Sequence, residues 1–207
     1  MNDDHLIRTE ADLELVIGPQ IEQIKEKIYQ SLDEAMLEFI RRSPLMFFST
    51  VDSNGQADVS PKGDSPGFVH VDANGDLLIP DRPGNRLLFG FRNILKNPNV
   101  GAIFVVPNMR ETLRIKGRAF ISKDPAHLKA LSERGKPALL CTHVAIDECF
   151  FHCGKAMIRS KMWNHEAWAE NKRSLMLQSI AKRYDADAEA KRDIESDIEA
   201  GYRDNLY

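Results

Sequence analysis

The stretch from residue 111 to 122, ETLRIKGRAFIS, constrains the fold more than any other. Leu113, Ile115, Gly117 and Ala119 fall on one face, and Thr112, Arg114, Lys116 and Arg118 on the other. A period of two over this length is a strand with one buried and one wet face; no helix satisfies it. Shorter β-type runs surround it. Residues 45–51 read as a strand ended by Asp52-Ser53-Asn54-Gly55, and 56–60 as its hairpin partner, because Asn-Gly suits a tight turn. Residues 61–66 read as a loop. Residues 67–71 and 76–79 form a second hairpin around Asp72-Ala73-Asn74-Gly75. Residues 100–106 are an apolar, β-branched strand, 139–140 a short element and 145–152 a last strand. Strands joined by tight turns, with one crossover helix among them, predict an antiparallel barrel rather than a doubly wound sheet.

Helical spacing appears elsewhere. Ile21, Ile24, Ile28, Leu32, Ala35, Met36, Phe39 and Ile40 trace a stripe through residues 20–42, which predicts one long helix or two shorter ones packed on the barrel, with Tyr29 facing outward. Residues 77–79 are a strand that breaks at Pro80 and turns through 81–85. A crossover helix starts near Arg86, with Leu87, Leu88, Phe91, Ile94 and Leu95 as its buried face, and stops at Asn97-Pro98. Asp124-Pro125 is an N-cap followed by proline at the first helical position, opening a helix to about residue 134. Residues 154–184 read as mostly helical. The charged tail 185–207 carries Ile194, Ile198 and Tyr202 four apart, a thin stripe for docking on a partner subunit or for fraying. The chain thus divides into an N-terminal helical segment, 1–42, a barrel domain, 43–163, and a C-terminal helical extension, 164–207.

The 43% hydrophobic content supports a sizeable core, and the net charge of −3 gives no global attraction to nucleic acid or an acidic membrane. No apolar run approaches the roughly 18 residues of a spanning helix, and the N-terminus has neither a basic start nor an apolar core of a signal peptide. Three cysteines, without disulfide spacing, fit a reducing cytoplasm.

No dinucleotide fingerprint, P-loop, zincin helix or nucleophile elbow is present. Three clusters remain. The first is basic: Lys62, Arg82, Arg86, Arg114, Lys116 and Arg118. A strand, a Gly-containing turn and a helix start would gather free N–H groups and cations on an anion such as phosphate; the alternative is a solvated face. A nucleic-acid face would need aromatics among those charges, and residues 111–122 offer only Phe120. The second comprises Cys141, His143, Cys149, His152 and Cys153. Their irregular spacing favours buried thiols over a zinc site, so no metal is expected. The third is Lys155, Arg159 and Trp163, one face of a helix beginning at Gly154 beside His152-Cys153. Two cations and an aromatic plane suit a planar anionic ligand; the alternative is a surface basic stripe with a core tryptophan.

Six blocks, in order, carry a family resemblance: Ser43-Pro44; Asp58-Val59-Ser60-Pro61-Lys62-Gly63-Asp64 with Pro66-Gly67-Phe68; Pro80-Asp81-Arg82-Pro83-Gly84-Asn85-Arg86; Asn93-Ile94-Leu95 with Asn97-Pro98; Glu111-Thr112-Leu113-Arg114 with Gly117-Arg118-Ala119; and Phe151-His152-Cys153 with Lys155-Ala156 and Arg159-Ser160-Lys161 with Trp163. Over about residues 39–163 the chain resembles the pyridoxamine 5′-phosphate oxidase-like, FMN-binding split-barrel superfamily, in its branch of FMN-dependent enzymes of unassigned substrate. The resemblance implies a six- or seven-stranded split β-barrel homodimer with FMN at each of two subunit-interface sites. It implies that Val59, Ser60, Pro61 and Lys62 run beside the flavin, followed by Ile79 and Pro80. The phosphate-binding Ser-Arg-Lys of the parent oxidase aligns with Gly84, Asn85 and Arg86, where only the last cation is kept, and Lys62 would be the second. A flavin-touching glutamine aligns with Thr112, and the second subunit would contribute Lys155, Arg159, Ser160 and Trp163. The parent's arginine-bearing C-terminal motif is absent, which argues against vitamin B6 oxidation.

The expectation is an FMN-dependent oxidoreductase acting on an unidentified small molecule, with no assignable catalytic acid or base. Its competitors are a flavin carrier or sensor without turnover, and a haem-binding split-barrel relative with His143 or His152 as ligand.

Overall fold

The structure, a computed structural model, describes residues 5–84, 86–168, 174–185 and 187–204. Seven strands pair in one antiparallel sheet: β1 (Leu45–Val51), β2 (Ala57–Gly63), β3 (His70–Val71), β4 (Leu77–Asp81), β5 (Asn99–Val105), β6 (Thr112–Ser122) and β7 (Leu140–His152), in the order β2-β1-β5-β6-β7-β4-β3. The sheet curls into a half-barrel, as the alternating patterns require. Met46, Phe48, Phe104, Leu113, Ile115, Leu77, Ile79 and Val144 fill its concave side.

The two Asn-Gly turns form as expected. In each, the aspartate carboxylate accepts two backbone N–H bonds, Asp52 from Asn54 and Gln56, and Asp72 from Asn74 and Asp76. The glycines take φ of 80° and 86°, which a side chain would strain. Between Lys116 and Gly117 the β6–β7 register slips, and a Cβ at Gly117 would lie 2.2 Å from the Ala145 carbonyl oxygen. Glycine is what lets the bulge bend the sheet there.

Several boundaries differ from expectation. β2 continues through Pro61 and Lys62 to Gly63, where 61–66 was expected to be loop. It is the edge strand, so the missing proline N–H costs no ladder bond to a further neighbour. β4 likewise runs through Pro80, beyond the end of its short partner β3. Residues 139–152 hold one long strand from Leu140 rather than two elements.

Within residues 20–42 the chain forms two shorter helices, α2 (Glu22–Lys25) and α3 (Glu34–Arg42), one of the two expected arrangements, and α1 (Glu10–Ile17) precedes them. Only α3 reaches the core, through Met36, Phe39 and Ile40, whereas Ile21, Ile24 and Ile28 are exposed. Tyr29 is exposed and bridges Cys149 through backbone bonds of 2.9 and 2.8 Å. α4 (Phe89–Ile94) is the crossover helix. Its expected buried face is a correction: Ile94 is buried, but Leu87, Leu88 and Leu95 are exposed. α5 (Pro125–Ala130) opens on Asp124, whose carboxylate caps the Ala126 N–H at 2.8 Å. It covers a smaller apolar cluster of Leu78, Leu131, Ala138 and Cys141 on the sheet's outer face. The stretch 154–184 is broken into α6 (Lys155–Arg159), a 3-10 turn at His165–Ala167 and α7 (Leu175–Arg183). α8 (Ala188–Asp204) packs on α7; Ile194 and Ile198 are half-buried and Tyr202 exposed. Among the described residues no helix is long and apolar enough to cross a membrane.

Candidate functional site

Along β2 the outer residues Val59 and Pro61 are exposed, while Ser60 and Lys62 alternate with them and are half-buried. Lys62 Nζ lies 3.9 Å from Asp81 Oδ1, at the end of β4, and 5.8 Å from the centroid of the Phe91 ring, on α4. Burial pushes the Asp81 carboxyl above the usual carboxylate range, against the opposing pull of Lys62 and Arg82. Asp81 and Phe91 bracket the loop that carries Gly84 and Arg86. Lys62 thus reaches residues at both ends of that loop. Asn85 lies outside the described residues.

The two arginines of this loop have different fates. Arg82 Nε donates to Asp64 Oδ2 at 2.8 Å, and the Asp64 side chain is only 2% exposed. This pair ties the loop after β4 to the end of β2 and closes the curl, so Arg82 is structural. Arg86 is exposed, at φ 57°, and makes no ion pair or hydrogen bond with any described residue. The expected helix start at Arg86 is also corrected. α4 begins at Phe89, behind Leu88 in the left-handed region and without a side-chain cap. The turn therefore offers cations and irregular backbone to an anion, rather than a helix N-terminus.

Thr112, Lys155, Arg159, Ser160 and Trp163 gather elsewhere. Thr112 is buried and pairs with His152 at the end of β7. At Gly154 the chain passes so near the preceding turn that a Cβ would sit 2.6 Å from Arg110 Cβ. Trp163 Nε1 then donates to the Met109 carbonyl at 2.7 Å, which fixes α6 against this end of the sheet. Lys155 and Arg159 remain exposed, and Ser160 Oγ donates to the Met157 carbonyl at 3.1 Å. The register runs Lys62, Met46, Phe104, Leu113, Phe151. Counted along the sheet, Thr112 on β6 is three strands from Lys62 and His152 on β7 is four. Among the described residues no hydrogen bond or ion pair links the two groups.

The basic face of β6 is not part of either group. Lys116 Nζ lies 2.7 Å from Glu148 and Arg118 Nε 3.4 Å from Asp147, both on β7. Arg114 stacks on Phe150 with its guanidinium carbon 5.2 Å from the ring centroid. The thiols are dispersed: Cys141 and Cys149 are buried and Cys153 is exposed. Burial pushes the Cys141 thiol up to about 11 and raises that of Cys149. Sequence reasoning missed Asp64, Asp81 and Phe91. The acids stand in Lys62-Gly63-Asp64 and Asp81-Arg82, two motifs whose charges pair crosswise; that juxtaposition was the available signal.

The family model for pyridoxamine 5′-phosphate oxidase matches residues 32–153. The chain belongs to this family. No curated protein matches it. Solved structures that resemble it include HupZ of Group A Streptococcus, at 18% identity and TM-score 0.48, with 58% of this chain and 93% of that one covered. General Stress Protein 26 of Bacillus anthracis matches at 15% identity and TM-score 0.42, covering 55% and 88%. HutZ, the haem storage protein of Vibrio cholerae, matches at 16% and 0.39, covering 59% and 94%.

Proposed function

We propose that this protein binds FMN and uses it as an oxidoreductase on a small molecule. Members of the family bind flavin or haem. The observation that carries the flavin reading is Arg86. It is a guanidinium without a described partner, on a loop whose two ends both touch Lys62. A phosphate monoester needs two or more such donors, and a planar guanidinium fits it bidentately. Lys62 and Arg86 hold the phosphate, with Gly84 and Asn85 assigned to it from the family resemblance alone. Val59, Ser60 and Pro61, with the backbone of Ile79 and Pro80, whose side chains are buried, border the ring system; Thr112, which lies with the group at 155–163, would contact it from the second copy.

The remaining groups enter from a second copy. Phe47, Ile103 and Val59 expose apolar surface on the outer side of β1, β5 and β2, and Leu87, Leu88 and Phe89 do so on the adjoining loop and helix. Covering that surface with a partner brings in the partner's basic segment, so that Lys155, Arg159, Ser160 and Trp163 of one copy complete the site begun by Lys62 and Arg86 of the other. The flavin, when bound, supplies the electron or hydride transfer; the chain binds, orients and excludes water. Location in the cytoplasm accords with three unpaired cysteines. Haem is the second reading, favoured by the exposed imidazole of His152 beside Phe150.

Titration of FMN into wild-type protein and Arg86→Ala, read by flavin fluorescence, tests the phosphate role. The variant is expected to lose about 1–3 kcal/mol of binding, the scale of a lost charge-assisted hydrogen bond. Unchanged affinity would remove Arg86 from the site.

A further inference from the structure

We infer that Asp72, Asp76 and His143 form a site for a divalent transition-metal ion of the zinc class, with His127 as its fourth ligand. The site lies at the β3–β4 turn, on the outer face of the sheet beside α5. Five residues of β4, about 17 Å, separate Asp76 from Asp81 and the flavin region.

Geometry carries the argument. His143 Nε2 is 3.0 Å from Asp76 Oδ2 and 3.6 Å from Asp72 Oδ2, and the ligand atoms of the three residues lie within 4.8 Å of one another. Ligands about 2.0–2.1 Å from a tetrahedral ion stand about 3.4 Å apart, between those two distances. The side chains are 12–25% exposed, so the cluster is sheltered but open on one side. Asp72 is held in place because its Oδ1 accepts the N–H groups of Asn74 and Asp76, while Oδ2 faces the imidazole.

The first hairpin turn is an internal control. Asp52-Ser53-Asn54-Gly55 closes with the same two bonds to its aspartate, but Gln56 stands where the second turn has Asp76. The turn therefore needs only its first aspartate. Asp76 and the facing His143 are additions that turn geometry does not explain. Neither carboxylate pairs with a lysine or arginine among the described residues, so with a neutral imidazole the cluster carries two uncompensated negative charges. A bound cation would neutralise them.

His127 supplies the second, independent observation. Its ring centroid is 6.1 Å from that of His143, nearly perpendicular to it. Its Nδ1 is the one buried side-chain polar atom among the described residues without a hydrogen-bond partner, on a ring that is itself half-buried. Such an atom calls for a ligand. Two imidazoles on one ion place their centroids roughly 5–6 Å apart; His127 stands outside the 4.8 Å cluster and would join it through a ring movement toward His143. Imidazole with carboxylates favours Zn²⁺, Mn²⁺ or Co²⁺ over Mg²⁺ and Ca²⁺, which prefer oxygen alone. The ion would staple the two-residue edge strand β3 and its turn to β7 and α5.

The test is calorimetric titration of ZnCl₂ into full-length protein stripped with chelator. One equivalent per chain is expected. Asp76→Asn and His143→Gln should each weaken binding at least tenfold, and His127→Ala should weaken it measurably. Asp52→Asn, in the twin turn, should leave affinity unchanged. Co²⁺ added to the wild type gives a readout independent of how the variants fold: visible d–d bands without a thiolate charge-transfer band. Absence of stoichiometric Zn²⁺ binding would overturn the proposal and leave His143 as a hydrogen-bonded clamp between two aspartates. So would binding that survives His143→Gln, or a thiolate band, which would place the ion on cysteine. Unchanged affinity in His127→Ala would overturn its place as fourth ligand.

Discussion

Arg82 and Arg86 stand four residues apart on one loop, and their surroundings assign them opposite work. Arg82 is committed to a nearly buried carboxylate that accepts from it at 2.8 Å, whereas Arg86 has no described partner to give up when an anion arrives. Local sequence cannot separate the two, because Asp64 is 18 residues away and only the curl of the sheet brings it near. The cysteines show the converse. Their irregular spacing pointed to buried thiols, and the structure places two of the three in the interior. A thiol reagent at neutral pH should therefore modify Cys153 quickly and Cys141 and Cys149 only as the protein opens, with all three reacting in denaturant. More than one fast thiol in the native protein would contradict this burial.

At the scale of elements, alternation and turn chemistry were legible nearly to the residue. The first strand is found at Leu45–Val51 and the long one at Thr112–Ser122, because period two and Asn-Gly are local signals that tertiary structure did not override. The crossover helix was less legible. Leu87, Leu88 and Leu95 recur as a core face would, yet they are exposed in the single chain; periodicity reports an apolar face but not what covers it. The same confusion made Ile21, Ile24 and Ile28 look like packed helix. Gly117 was read as a small residue on the buried face. The structure gives the stronger reason, since a Cβ there meets the Ala145 carbonyl at 2.2 Å. Gly117→Ala should cost about 1–3 kcal/mol in urea unfolding through backbone displacement at the bulge. A midpoint unchanged from wild type would show that the bulge relaxes freely.

For the whole molecule, the half-barrel leaves its candidate groups in two places without a direct contact between them, and its outer apolar surface uncovered. The proposed homodimer, with each flavin lying between the copies, would account for both features. Phe47, exposed at the middle of that surface, is the place to break it. Phe47→Asp is expected to run as a monomer in light scattering and to lose FMN affinity with it, because buried unpaired charge is costly at an interface. A wild-type monomer, or a monomeric variant that binds FMN normally, would contradict the shared site.

The most direct test of the central claim is the visible absorption spectrum of the purified protein, taken before and after FMN and then NADPH under anaerobic conditions. The account predicts a perturbed flavin spectrum saturating at one FMN per chain, bleached when a reductant for the enzyme is supplied. A flavin spectrum that NADPH leaves unbleached would keep the site and require another reductant or a carrier role. A protein that takes up no FMN, or that instead yields a Soret band with haem lost in His152→Ala, would contradict the flavin assignment and the roles given to Lys62 and Arg86.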